Sequence, residues 1–118
     1  MQFSIDAGSV EAPYAQLQRQ VTEAALDGTM PAGSRLPTVR ALADELGLAP
    51  NTVARAYREL ETAGVIETRG RSGSFIALSH DSAERALQEA AAAYATRARQ
   101  LGIDAHRAAA YIESALDL

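Results

Sequence analysis

The stretch Leu36-Pro37-Thr38-Val39-Arg40-Ala41-Leu42-Ala43-Asp44-Glu45-Leu46-Gly47-Leu48-Ala49-Pro50-Asn51-Thr52-Val53-Ala54-Arg55-Ala56-Tyr57-Arg58-Glu59-Leu60 decides the fold. Val39, Leu42, Ala43 and Leu46 recur at helical spacing, and Thr38 stands where an N-cap belongs. Gly47 supplies the left-handed residue that ends such a helix. Pro50 suits the first residue of the next helix, because its missing N–H has no partner there anyway. Val53, Ala56, Tyr57 and Leu60 then face inward, and Gly64 closes the helix. Two short helices joined by so few residues predict a helix-turn-helix.

Upstream, Pro13 opens an expected helix in which Tyr14, Leu17, Val21 and Ala24 recur every three or four residues. Asp27-Gly28 stops it, and Met30-Pro31-Ala32-Gly33 reads as a turn-forming link. Downstream the period changes to that of strands. Val65 to Arg69 and Ser74 to Leu78 are rich in strand formers and flank Gly70-Arg71-Ser72-Gly73, a hairpin signal. Three helices and a hairpin predict a winged helix-turn-helix over residues 10–78.

Residues 79–118 have another composition. From Asp81 to Leu101, the residues Leu87, Ala90, Tyr94, Ala98 and Leu101 mark one helix face, and Asp81 with Glu84 resembles a capping box. Gly102-Ile103 breaks the helix. Asp104 is placed to cap another that carries Ala105, Ala108, Ile112 and Ala115 or Leu116. Such an Ala-rich hairpin brings helices close but buries little area, at roughly 25 cal/mol per Å². It needs a partner surface. The expected class is therefore mainly α with a small β-hairpin wing, followed by a two-helix C-terminal hairpin.

The composition of the 118 residues, 47% hydrophobic and 22% charged, is that of a soluble globular chain. Without cysteine there are no disulfides and no thiolate metal sites. Met1-Gln2-Phe3-Ser4-Ile5-Asp6 lacks the basic start and apolar run of an export signal. The apolar run Ala90 to Ala95 is too short to span a bilayer. A cytoplasmic location, with no membrane partner, is expected. The net charge of −4 argues mildly against nucleic acid, but its distribution argues the other way. Residues 35–71 hold six arginines (Arg35, Arg40, Arg55, Arg58, Arg69, Arg71) against five acids, whereas residues 1–34 hold one against four.

The run from Arg35 through Leu36-Pro37-Thr38, Arg40, Asn51-Thr52-Val53, Ala56-Tyr57-Arg58-Glu59-Leu60 and Gly70 to Phe75 resembles the GntR family of bacterial repressors over about 65 residues. The short helical tail is similar to that of the YtrA-type branch. That resemblance implies dimerisation through two C-terminal helices and repression by promoter occupancy. It also implies double-stranded DNA as partner. The wording around Asn51 to Tyr57 is similar to the MocR-type branch too, but that branch carries a large aminotransferase-like domain absent from these residues. Two positions depart from the family pattern. Ala49 replaces the usual Ser or Thr cap, and several branches carry Arg where this chain has Ala54, so that Arg55 displaces the charge by about 100° round the helix, to a position that the branches resembled most closely also prefer.

The residues themselves suit DNA. A recognition helix presents polar side chains at its N-terminal end, as Asn51, Thr52 and Arg55 do. Asn pairs bidentately with adenine and Arg with guanine. Arg40 belongs beside the sugar-phosphate backbone, where it sets register without reading sequence. Thr38 can donate to a phosphate from a helix start that itself favours anions. Arg69 and Arg71, either side of Gly70, suit a wing tip reaching into the minor groove. Arg35 reads either as a phosphate contact or as a solvated loop residue.

Other residues read as structural. Arg58, next to Glu59 and near Glu61, fits a solvated face or a local ion pair. Tyr57 and Phe75 fit the core, and Tyr94 and Tyr111 a dimer interface. His80 and His106 are isolated, without the converging ligands of a metal site. Ser72 and Ser74 fit turn chemistry rather than catalysis. No catalytic residue, metal or cofactor is expected. The expectation is a homodimeric, sequence-specific DNA-binding regulator, a repressor on an inverted-repeat operator. The rival class is a winged helix that binds protein instead of DNA. A small-molecule effector of unspecified identity would have to sit in a cleft between subunits, because about 38 residues enclose too little space alone.

Overall fold

A computed structural model describes residues 3–118; Met1 and Gln2, and the reading of the chain start that rests on them, lie outside it. The order is α1 (Pro13–Asp27), α2 (Val39–Leu46), α3 (Pro50–Thr62), β1 (Ile66–Thr68), β2 (Ser74–Ile76), α4 (His80–Gln100) and α5 (Ala105–Ala115). The chain is mainly helical and falls into two units that meet at residue 80.

In the first unit α3 packs against both α1 and α2. Leu17 and Val21 of α1, Leu42 of α2, Val53 of α3 and Ile76 of β2 are fully buried at its centre. Burying such a side chain is worth roughly 1.5–3 kcal/mol, and Met30, Leu36, Leu60, Val65 and Ile66 extend the same buried cluster. Thr38 caps α2, its Oγ1 accepting from Ala41 N–H at 3.1 Å. Gly47 ends the helix in the left-handed conformation, φ +67°. Pro50 stands in the first turn of α3, and Ala49 before it makes no side-chain cap.

β1 and β2 pair antiparallel with Ile66 opposite Ile76, Glu67 opposite Phe75 and Thr68 opposite Ser74. The strands are shorter than the expected runs, because Leu78 and Ala77 turn back to donate to Val65 C=O. The link before α2 is more than a loop. Gly33 N–H donates to Ile76 C=O, Ile76 N–H to Ser34 C=O and Leu36 N–H to Ser74 C=O, at 2.7–2.8 Å. Residues 33–36 thus lie along the free edge of β2, and Arg35 pairs with Phe75.

The segment before α1 is tied to it by two glutamines. Gln16, 3% exposed, accepts from Asp6 N–H and donates to the carbonyls of Asp6 and Glu11. Gln20 makes the same two-way contact with the backbone of Ser4. A buried amide is tolerated because each of its polar atoms is satisfied.

The second unit begins at Asp81, but α4 begins at His80, so Asp81 lies inside the first turn and not at the cap expected from its spacing to Glu84. Asp104 caps α5 as expected, accepting from Arg107 N–H at 3.0 Å. The Tyr94 hydroxyl donates to Ala108 C=O at 2.8 Å and fastens α4 to α5. No residue of α4 is buried, and Ala108 alone is buried in α5.

Candidate nucleic-acid interface

The amphipathic pattern of α3 settles which side chains it exposes. Val53, Ala56, Tyr57 and Leu60 are buried, which leaves Asn51 and Arg55 exposed one turn apart and Thr52 half-buried. The Tyr57 hydroxyl donates to Pro37 C=O at 2.6 Å, which fixes α3 against the start of α2. Burial raises the Tyr57 pKa well above the ordinary tyrosine value, so this donor stays protonated at neutral pH.

Thr38 and Arg40 stand at the start of α2. The Thr38 hydroxyl oxygen accepts from the helix backbone, which leaves its hydrogen available to an outside acceptor. Arg40 is exposed, and among the described residues it makes no ion pair. The N–H groups of Val39 and Arg40, left over in the first turn, and an unpaired guanidinium together form an anion-attracting corner.

Arg55 is held. Its guanidinium lies 3.7 Å from the centroid of the Tyr14 ring, and its Nε donates to Glu59 Oε2 at 3.2 Å. Glu59 Oε2 also accepts from Gln18 Nε2 at 2.9 Å. An exposed i,i+4 pair contributes ~0.3–0.5 kcal/mol and an exposed cation–π contact ~0.5–1 kcal/mol. Together they bias the side chain toward one position by several-fold. Because Glu59 is engaged there, and Glu61 accepts from Thr68 N–H, Arg58 has no carboxylate partner among the described residues. Of the two readings for Arg58, the solvated face holds and the local ion pair does not. It is exposed on the Asn51 face of α3, seven residues on.

The wing carries the remaining arginines. The tip, Gly70–Ser72, is a single 3₁₀ turn with Arg71 exposed. Arg69 lies over the Phe75 ring, 4.3 Å from its centroid, and pairs with Glu67 at 2.6 Å. Phe75 is only half-buried, so its ring serves as a platform on the strand and not as core. Arg35 lies beside Gly73, whose φ of +111° excludes most side chains and at which a Cβ would stand 3.1 Å from Arg35 Nε. The structure thus distributes Arg35, Thr38, Arg40, Asn51, Thr52, Arg55, Arg69 and Arg71 over three neighbouring parts of the first unit: the start of α2, the start of α3 and the wing. Sequence patterning missed the bracket on Arg55, because Tyr14 is far from it in the chain and looked like plain core spacing.

In the second unit large apolar side chains stand in solvent, with Leu87 72% and Leu116 63% exposed. An open apolar groove of about 470 Å³ is lined by Leu87, Ala90, Ala91, Tyr94, Ile112 and Leu116, among others. No group of three or more His, Asp or Glu capable of holding a metal occurs among the described residues. No helix among them is long and apolar enough to cross a membrane.

Comparison with known proteins agrees with this geometry. Residues 13–76 match the profile of the bacterial regulatory proteins of the gntR family. The HTH-type transcriptional regulator Rv1152 of Mycobacterium tuberculosis is 46% identical over 108 residues, covering 92% of this chain and 88% of that protein. The HTH-type transcriptional repressor YtrA of Bacillus subtilis is 39% identical over 112 residues, covering 94% and 84%. The solved structure of YtrA from Sulfolobus acidocaldarius, a GntR-family transcription factor, superposes with a TM-score of 0.61 at 29% identity, covering 77% and 97%.

Proposed function

The chain belongs to the GntR family of bacterial regulatory proteins, and we propose that it is a sequence-specific DNA-binding regulator that represses transcription as a homodimer on an inverted-repeat operator. One observation carries the DNA reading. The amino end of α3 exposes Asn51 and Arg55, with Thr52 half-buried beside them, while its other face is locked into the core through Val53 and Tyr57. In this reading α3 enters the major groove, where Asn51 and Arg55 meet base edges. Arg40, Thr38 and Arg35 neutralise and position the phosphate backbone, and Arg69 and Arg71 bring the wing to the adjoining minor groove.

The dimer reading rests on the second unit. A two-helix hairpin whose buried residue is one alanine, with Leu87, Ile112 and Leu116 in solvent, lacks the apolar burial to hold itself in place. A second copy supplies that surface. A two-fold pair then mirrors an operator of inverted half-sites. DNA as the partner makes the cytoplasm the compartment of action.

The test is a fluorescence-anisotropy titration of the full chain against random duplex and against fragments it selects from genomic DNA. The expected result is selective binding with a steep salt dependence. Equal, salt-insensitive failure to bind both sets would favour a protein-binding winged helix and sink the proposal.

A further inference from the structure

We infer that Tyr14 and Glu59 are specificity-determining positioning residues, which fix the edge of Arg55 that faces DNA. The inference rests on the reading of α3 as the recognition helix. Arg55 has two edges for recognition: one made by Nε and an Nη, the other by its two Nη groups. In the structure Nε is spent on Glu59 Oε2 at 3.2 Å, so the first edge is occupied. The plane is set separately, by the Tyr14 ring 3.7 Å beneath the guanidinium carbon. Glu59 is itself held by Gln18 Nε2 at 2.9 Å, so the carboxylate is anchored to α1 and does not simply follow the arginine. What remains outward is the Nη pair, for which no partner occurs among the described residues, on a side chain 54% exposed.

Arg55 stands on the side of α3 from which it reaches Tyr14 of α1. An unrestrained arginine there would sample many rotamers and discriminate poorly between bases. Stacked on α1 and tethered through Glu59, it has lost that freedom before DNA arrives, so ordering it on binding costs less. Neither Tyr14 nor Glu59 needs to touch a base.

The experiment uses the full chain and a duplex it selects from a random library. Relative affinities are measured for that duplex and for every single-base-pair substitution of it, with melting temperature as a parallel readout. Arg55→Ala should flatten preference at a particular base pair. Tyr14→Leu should flatten preference at that same pair by about two- to five-fold and Glu59→Gln by about two-fold, the weight of contacts of these two kinds. Tyr14→Phe, which keeps the ring, should restore it. In an Arg55→Ala background Tyr14→Leu should change the profile no further. The inference is overturned if Tyr14→Leu weakens all duplexes equally, alters other positions, or adds to Arg55→Ala. It is overturned as well, with the regulator reading intact, if Arg55→Ala leaves the profile of a selectively binding protein unchanged. A wild-type chain that selects no duplex ends both.

Discussion

The hydroxyl of Tyr57, on the third turn of α3, donates to the carbonyl of Pro37 at 2.6 Å across 20 residues of chain. That bond joins the inner face of one helix to the residue before the cap of the other. The angle between α2 and α3 is therefore set by a directed contact as well as by the packing of Leu42 and Val53. An interface that must place Arg40 on a backbone and Asn51 on a base edge depends on that angle.

Tyr57→Phe removes the bond while keeping the ring. It should lower stability by about 1 kcal/mol, the net worth of one such hydrogen bond. Urea unfolding should show a reduced midpoint at an unchanged slope. A midpoint equal to wild type would mean that packing alone fixes the two helices.

Ala49 has the extended backbone of an N-cap, φ −66° and ψ 141°, without a side chain to use it. Ala49→Ser should therefore stabilise the protein by about 1 kcal/mol, by supplying an acceptor to the first turn of α3. The same hydroxyl lies beside the proposed phosphate path, so DNA affinity should rise as well. Thermal melting and anisotropy titration check the two effects separately.

Arg40→Ala should weaken binding to every duplex by a similar factor and reduce the salt slope by about 1. The measurement is affinity against several sequences over a range of salt. A change in base preference without a change in slope would move Arg40 from the backbone to the bases.

Leu87→Glu combined with Leu116→Glu places charge on two exposed positions, so the fold of each subunit should tolerate it. A dimer interface would not. Sedimentation should then show monomers, and operator affinity should fall by at least ten-fold as the linkage between half-sites is lost. Dimers that persist would place the contact elsewhere.

Local patterning alone determined the order of helices, the caps at Thr38 and Asp104, the starts at Pro13 and Pro50, and the hairpin about Gly70. Each depends on residues within one or two turns of one another, and their conformational preferences act through the chain itself. The identity of the polar residues on the outer face of α3 was legible for the same reason, since burial of Val53, Ala56 and Tyr57 dictates what remains outside. Only the tertiary structure decided what those residues meet. The pairing of residues 33–36 with β2, the clasp of Gln16 on Asp6 and the capture of Arg55 between Tyr14 and Glu59 all join distant segments. Such contacts form because the core brings the segments together, and a side chain with several partners in reach takes the one that packing places nearest.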